Sequence, residues 1–105
     1  MTRSYRQKGC PVARTLDVIG ERWTILVLRD LYLKGPRRYQ DLQDSLAGAA
    51  PNTLSARLKA MEAHGLIERK LYSEHPPRLE YHLTAKGKSL APIIKALRDW
   101  GQEHP

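Results

Sequence analysis

The sequence lacks several features that define large classes of protein. It contains one cysteine, Cys10, so it cannot form an internal disulfide framework, which fits a reducing cytosol. No apolar run approaches the roughly 20 residues that span a bilayer, and no signal-peptide pattern opens the chain. These absences predict a cytoplasmic protein without a membrane-spanning segment.

Patterns of catalytic and metal sites are missing as well. There is no glycine-rich phosphate loop, nucleophile elbow or paired-carboxylate arrangement. The four histidines are His64, His75, His82 and His104. Their spacing from the cysteine and the carboxylates is unlike that of zinc ligands. The two tryptophans, Trp23 and Trp100, fit core or interface better than cofactor binding. We expect neither an enzyme, nor a metal site, nor a cofactor.

Positive charge is in excess, and it is unevenly placed. The chain of 105 residues has a net charge of +7. Residues 34–88 hold ten Lys/Arg against six Asp/Glu, a net +4, and residues 1–10 add +3 without any acid. Residues 11–33 and 89–105 are each neutral. Such an excess displaces counterions when a protein binds nucleic acid, although a solvated basic surface would give the same composition.

Two helices are predicted before residue 37. The first begins at Pro11, a residue suited to the first helical position, and ends at Gly20. The second covers residues 23–34, which are apolar nearly all round, and is closed by Gly35. We expect this helix to be buried at the centre of the domain. Residues 37–39 would then form a short strand or the entry to the next helix.

The middle of the chain gives the order helix, turn, helix and β-hairpin. A short amphipathic helix leads through the small residues 47–50 into a second helix at 52–64. Two strands follow at 67–72 and 79–83, separated by a His-Pro-Pro-Arg turn at 75–78. This is the order of a winged helix-turn-helix, in which one helix enters a DNA major groove and the hairpin lies against the neighbouring backbone.

The second of these helices has an apolar face and a polar face. At about 100° per residue, Leu54, Leu58 and Met61 point inward. Asparagine pairs well with adenine, and lysine reaches guanine or phosphate. An ordinary surface helix with cap-like serine and threonine is the alternative. The predicted major-groove contacts are Asn52, Thr53, Ser55, Ala56 and Lys59, with Arg57 at the edge.

Basic residues on either side of this helix would neutralise phosphates or enter the minor groove. They are Arg37, Arg38, Arg69, Lys70 and Arg78. Arg78, beside two prolines on the tight turn, is well placed for the minor groove. For the wing, a solvated charged hairpin is the alternative. For one of Arg37 and Arg38, the alternative is a surface salt bridge to Asp41.

The spacing of apolar residues predicts a last helix over residues 85–101, capped by Thr84. Because Pro92 removes one hydrogen bond, we expect a bend near it. The apolar residues Leu90, Ile93, Ile94, Leu97 and Trp100 lie on one stripe. That stripe is larger than one small core can cover, which favours a second subunit.

Three stretches of the sequence, in this order, resemble the HxlR-type family of bacterial winged-helix regulators, relatives of the MarR group. They are CPVARTLDVIGERWTILVLRDL from Cys10, RRYQDLQDSLAGAAPNTLSARLKAMEAHGLIER from Arg37 and YSEHPPRLEYHLTAKGKSLAPIIKAL from Tyr72. The specific parts are the Cys-Pro-Val opening, the Gly-x-x-Trp-Thr step and the Pro-Pro-Arg-x-x-Tyr-x-Leu-Thr wing. One departure is Ala50, where many relatives place a serine that caps the reading helix.

The resemblance implies transcriptional control by a homodimer in which the first and last helices of each subunit pack together. Its two reading heads would then recognise inverted half-sites in double-stranded DNA. The residues expected at the dimer interface are Val12, Leu16, Leu90, Ile94, Leu97 and Trp100.

Cys10 is a candidate redox sensor. In some members of the family the N-terminal cysteine senses quinones, aldehydes or oxidants. Here the helix N-terminus at Pro11 and the nearby cations Arg6, Lys8 and Arg14 would favour the reactive thiolate. A small buried hydrophobic residue that only packs is the alternative.

Together these features predict one α+β domain: a mostly helical winged helix-turn-helix with a two-stranded wing, homodimeric and specific for a DNA sequence. Residues 1–9 would form a flexible basic arm and 10–105 the HxlR-type domain. Within it, 34–83 would read DNA, and 10–20 and 85–101 would dimerise. Two other classes remain: a non-specific architectural or RNA-binding module, which would bind random duplex as well as any operator, and a protein–protein adaptor. The adaptor is disfavoured because the excess charge lies on the reading segment.

Overall fold

The computed structural model describes residues 9–105, so the predicted basic arm lies outside the described residues except for Gly9. That part of the chain forms six helices and two strands. They are α1 (Pro11–Ile19), α2 (Arg22–Lys34), α3 (Tyr39–Ser45), α4 (Pro51–Ala63), β1 (Ile67–Glu74), β2 (Pro77–Leu83), α5 (Ala85–Lys88) and α6 (Ala91–Glu103). The predicted class, mostly helical with a two-stranded antiparallel wing, is confirmed.

The central helix is α2, which packs against α1, α3, α4, α6 and β2. Its Val27 and Leu28 are fully buried. The rest of the core comes from the helices α1 to α4, the residues just after α3 and α4, and the start of β1: Ile19, Leu31, Leu42, Leu46, Ala49, Leu54, Leu58, Met61, Leu66 and Ile67. The central position of α2 is as predicted, but its burial is incomplete. Leu33 is 73% exposed and lines a groove between α2 and α6.

Polar groups and glycines set the ends of the central helices. Glu21 begins α2, because its carboxylate accepts from the backbone N–H of Trp23 at 2.7 Å. Gly35 ends that helix with a φ of 75°, a conformation that other residues rarely adopt. Gly65, with a φ of 72°, does the same after α4. The chain therefore turns sharply where the wing begins.

The hairpin of β1 and β2 is longer than the sequence predicted. The four-residue turn is wrong: only His75 and Pro76 connect the strands, and Pro77 already pairs with Glu74. A proline is tolerated there because it is the first residue of its strand. Arg78 consequently lies within β2, next to the tip of the wing and not in its turn.

The segment before α3 ties the wing to the helices. Arg37 forms an isolated bridge with Tyr81, with backbone hydrogen bonds of 3.1 and 2.7 Å in the two directions. Arg38 occupies the N-cap position of α3. Both alternatives predicted for residues 37–39 are thus realised, one residue after the other.

The predicted single helix with a bend near Pro92 is wrong, because the chain forms two helices there. Thr84 caps only α5, its Oγ1 accepting from the N–H of Gly87 at 3.1 Å. A Cβ at Gly87 would come within 2.2 Å of the Leu66 carbonyl oxygen, so α5 can lie this close only with glycine. Pro92 lies in the first turn of α6. Its missing N–H removes no hydrogen bond there, so it opens a helix and does not bend one.

Candidate nucleic-acid interface

The outward face of α4 is polar and free of the core. Asn52, Ser55, Ala56 and Lys59 are exposed, whereas Thr53 and Arg57 are half-buried. On the inward face Leu54, Leu58 and Met61 are at most 1% exposed. The buried face fixes the helix backbone, and the exposed face is left available to an outside partner.

The N-terminus of α4 has no side-chain cap. Ala50 occupies the N-cap position with extended dihedral angles, φ −65° and ψ 144°, and Pro51 is the first helical residue. Ala50, Pro51 and Asn52 are all exposed. Backbone donors and the positive end of the helix dipole therefore meet solvent here, a combination that suits an anion.

Tyr39 is a polar neighbour of this surface that the sequence analysis missed. Its hydroxyl donates to Oε1 of Gln43 at 3.0 Å and lies 3.5 Å from Oγ of Ser55. Gln43 in turn donates through Nε2 to the carbonyl of Ala49 at 2.9 Å. Tyr39 and Ser55 are 16 positions apart in the sequence, and no spacing rule connects them. The turn between α3 and α4 brings them together.

The side chain of Arg38 forms a salt bridge within its own domain. Its Nε and Nη2 donate to the carboxylate of Asp41 at 3.1 and 2.9 Å, and its backbone N–H donates to the same group at 3.0 Å. These bonds hold the pKa of Asp41 at about 2, below its ordinary 3.8. For Arg38, the structure thus contains the salt bridge that was the alternative to a phosphate contact.

Arg37 is placed differently from its neighbour. Its backbone is fixed by the bridge to Tyr81, and its side chain is half-buried. The Nε atom is enclosed and has no hydrogen-bond partner among residues 9–105. The position of Arg37 beside the wing is therefore set by the backbone and not by an ion pair.

The predicted wing cations fall into two groups. Arg69 donates through Nε to Glu62 of α4 at 2.9 Å, and Lys70 Nζ lies 3.7 Å from Glu68. Arg78 is exposed and forms no ion pair within the described range. Of these three cations, Arg78 has the charge most available to an outside partner.

Glu62 is a second residue that the sequence analysis missed. Its carboxylate joins α4 to β1 through Arg69. Burial raises the pKa of Tyr81 on β2, and the negative charge of Glu62 raises it further. Glu62 therefore faces the wing and not the outward face of α4. Its partner Arg69 lies beyond the turn at Gly65. Helical periodicity does not extend past that turn, so it could not predict this pair.

The outer helices present apolar side chains to solvent. Val12 is 68% exposed on α1, and Leu97 and Trp100 are 51% and 65% exposed on α6. Leu16 and Ile93 are exposed as well. Leu90 and Ile94, which the sequence assigned to the dimer interface, are half-buried and pack against the core of their own domain. On α6 the exposed apolar side chains are therefore Ile93, Leu97 and Trp100.

Cys10 lies at the beginning of α1. It is free, half-buried and in the N-cap position, where its side chain makes no capping hydrogen bond. The thiol is thus neither sealed in the core nor fully in solvent.

The described residues contain no cluster of three or more His, Cys, Asp or Glu side chains that could hold a metal ion. Between Gly9 and Pro105, no helix combines the length and the apolar character needed to cross a membrane.

Comparison with known sequences gives consistent matches. The profile of the HxlR-like helix-turn-helix family matches residues 18–105. The HTH-type transcriptional regulator sll1512 of Synechocystis is 44% identical over 94 residues, which is 90% of this chain and 69% of that protein. The HTH-type transcriptional regulator YdeP of Bacillus subtilis is 35% identical over 97 residues, or 92% of this chain and 75% of that protein.

Solved structures agree with the sequence matches. The redox regulator HypR in its oxidised form superposes with a TM-score of 0.84 at 32% identity, covering 91% of this chain and 98% of that one. Its reduced form superposes with a TM-score of 0.82 at 32% identity, covering 90% and 92%. The fold described above is therefore shared with regulators of known structure.

Proposed function

The chain belongs to the HxlR-like helix-turn-helix family of transcriptional regulators, and from this premise we propose that it binds a specific DNA sequence as a homodimer. In this proposal α4 enters the major groove and the hairpin of β1 and β2 lies along the backbone. The supporting observation is the two-sided character of α4. Leu54, Leu58 and Met61 anchor one face at 0–1% exposure, while the opposite face exposes Asn52, Ser55 and Lys59.

The first turn of α4 would contact both a phosphate and a base. The uncapped N–H groups after Ala50 suit a phosphate, because a helix N-terminus offers both donors and positive potential. Asn52 in that turn is exposed and could make a bidentate contact with adenine. Lys59 lies two turns further along the outward face, where it would reach guanine or phosphate.

Among the proposed backbone contacts, Arg78 has the clearest role. It is exposed beside the wing tip and has no ion pair within the described residues. Arg38 and Arg69 would have to leave Asp41 and Glu62 to reach a phosphate. We therefore assign Arg78 to the DNA backbone or minor groove, Arg69 chiefly to joining the wing to α4, and Arg38 chiefly to capping α3.

The homodimer is supported by the exposed apolar residues of the outer helices. Val12 and Leu16 on α1, and Leu97 and Trp100 on α6, lack a cover in the single subunit. A second copy packed on these helices would bury them and set two α4 helices on a two-fold axis. The operator would then be an inverted repeat with half-sites roughly 34 Å apart, or a multiple of that distance.

A switch at Cys10 is the finer part of the proposal. HypR, to which this chain is similar, is named a redox regulator and is known in oxidised and reduced forms. Cys10 immediately precedes α1, whose Val12 and Leu16 would lie in the dimer interface. Oxidation or alkylation of the thiol would alter that interface and the separation of the two reading heads.

Selection of bound fragments from random duplex DNA, followed by footprinting, tests the proposal. We expect one enriched inverted repeat, protected symmetrically. In the Asn52→Ala variant the preference at one base pair should weaken by about 1–3 kcal/mol. Equal binding of all fragments would instead support the non-specific architectural alternative.

The switch is tested on the same selected duplex. Treatment with diamide or a quinone should change the binding of the wild type, and Cys10→Ser should not respond. If both proteins respond equally, or neither responds, Cys10 has no regulatory role.

A further inference from the structure

The short helix α5 touches the C-terminal end of α4. Lys86 donates through Nζ to the backbone carbonyl of His64 at 2.8 Å. Thr84 donates through its hydroxyl to the carbonyl of Gly65, and its N–H donates to the carbonyl of Leu66 at 3.0 Å. The last carbonyls of a helix have no partner inside it. Here α5 supplies partners for that end of α4 and for the turn that follows.

Its other contacts hold α5 itself in place. The hydroxyl of Tyr32, in the central helix α2, donates to the carbonyl of Gly87. The close approach of Gly87 to the Leu66 carbonyl leaves no room for a side chain between α5 and the turn after α4. Leu90, two residues after the end of α5, packs against the core. These contacts fix the backbone of α5, and the amine of Lys86 therefore reaches α4 from a fixed position.

We propose that Lys86 is a positioning residue for DNA reading, which sets the angle of α4 by holding the carbonyl of His64. This inference rests on the DNA binding proposed above. The cation also lies at the negative end of the helix dipole, where it is favourable. Lys86 acts at the opposite end of α4 from Asn52, so it needs no contact with DNA.

The length of α4 makes its angle important. A helix of 13 residues is about 20 Å long. A tilt of roughly 10° about its C-terminal end would move its first turn by roughly 3 Å over that length, which exceeds the tolerance of a hydrogen bond to a base edge. Contacts with phosphates by the long side chains of the wing tolerate such a shift better. Loss of the Lys86 bond should therefore affect specific binding more than non-specific binding.

Lys88 provides a matched control, because it is also exposed, lies on α5 and makes no hydrogen bond to α4 among the described residues. The probes are the duplex that the wild type selects from a random library and a random duplex of equal length. We expect Lys86→Met to bind the selected duplex on the order of threefold to fivefold more weakly. Its affinity for the random duplex and its salt dependence should stay as in the wild type. Lys86→Arg should restore the selected affinity, and Lys88→Met should not change it.

A phosphate contact by Lys86 would give a different result. In that case both duplexes would bind more weakly and the salt slope would fall by about one unit. That result, an equal loss in Lys88→Met, or no loss in Lys86→Met would each overturn the proposal.

Amide hydrogen exchange in the free protein gives a measurement that does not need DNA. The amides of Ala63, His64 and Gly65 should exchange faster in Lys86→Met than in Lys88→Met. Unchanged exchange at these amides would refute the positioning role even if the protein bound no DNA. A wild type without preference for its selected duplex would instead refute the proposed function.

Discussion

The reading region, residues 34–88, and the outer helices, α1 and α6, differ in which side chains they bury and which they expose. In the reading region α4 has one face at 0–1% exposure, and the polar residues point outward. In α6 no residue is buried, and the exposed side chains include Leu97 and Trp100. The net charge differs in the same sense, with +4 in residues 34–88 and zero in residues 89–105.

This contrast separates two kinds of recognition. A polyanion is attracted by uncompensated cations on a rigid surface, so the reading region needs a complete core of its own. A protein partner is attracted chiefly by apolar area, so in the proposed homodimer the outer helices would keep apolar side chains uncovered until a second copy packs on them. Each of the following changes should affect one of the two regions and spare the other.

The largest effect should come from removing core volume in the reading region. Leu58 is 1% exposed, so Leu58→Ala leaves a cavity and should lower the free energy of unfolding by about 2–5 kcal/mol. Leu97→Ala is the control, because Leu97 is 51% exposed in the single subunit. Urea denaturation of both variants at a concentration below dimer formation should separate them. Equal losses would mean that α6 belongs to the core of each subunit.

The next effect concerns the outer helices. Leu97→Glu places a charge on the exposed stripe of α6, where dimer formation would bury it without a partner. We expect monomers or aggregates at low micromolar concentration by light scattering, where the wild type should be dimeric. Leu71→Glu is the matched control, since Leu71 is similarly exposed, at 54%, but lies on the wing. A monomeric wild type would defeat the dimer proposal.

Local patterns in the sequence predicted the faces of the reading region well. The spacing of Leu54, Leu58 and Met61 required one buried face, and the structure buries all three. Helical spacing also placed the apolar residues of the last helix on one stripe. Spacing alone does not tell which of those residues pack in the core and which remain exposed. Leu90 and Ile94 pack inward, whereas Leu97 and Trp100 do not.

Contacts between distant segments were not predictable from periodicity. The bonds of Arg69 to Glu62 and of Lys86 to His64 depend on how the chain returns after Gly65. The close approach of α5 to the Leu66 carbonyl, which only a glycine at position 87 allows, is likewise a contact between distant segments. Such features arise from packing, which a pattern of single residues does not contain.

A smaller effect, on the affinity for DNA and its salt dependence, should distinguish a cation of the reading region from a cation of α6. Arg78→Ala should weaken binding to every duplex and lower the salt slope by about one unit, because it would remove the proposed phosphate contact. Arg98→Ala removes a cation from α6 that is bound to Asp99 at 2.8 Å and should leave the slope unchanged. Titrations at several salt concentrations would measure both. A slope that falls equally in the two variants would contradict the assignment of DNA binding to the reading region.

The smallest effect should be a pH dependence confined to the reading region. The pKa of Asp41 is about 2 in the folded protein, below the ordinary value of 3.8, because Arg38 donates to the carboxylate. The ionised carboxylate therefore favours folding above pH 3.8, and this contribution is lost as the pH falls toward about 2. Both side chains are partly exposed, so solvent screens the pair and the loss is small.

Asp41→Asn should thus lower the melting temperature by about 1–3 °C at pH 6, with the difference from wild type disappearing near pH 2. Asp44→Asn is the control, because Asp44 lies on the same helix but accepts from Nε2 of Gln40 at 2.9 Å and not from an arginine. Thermal denaturation of the three proteins across this range would test the assignment. If Asp44→Asn reproduced the difference, the pH dependence would reflect the general charge of α3 and not the bond between Arg38 and Asp41.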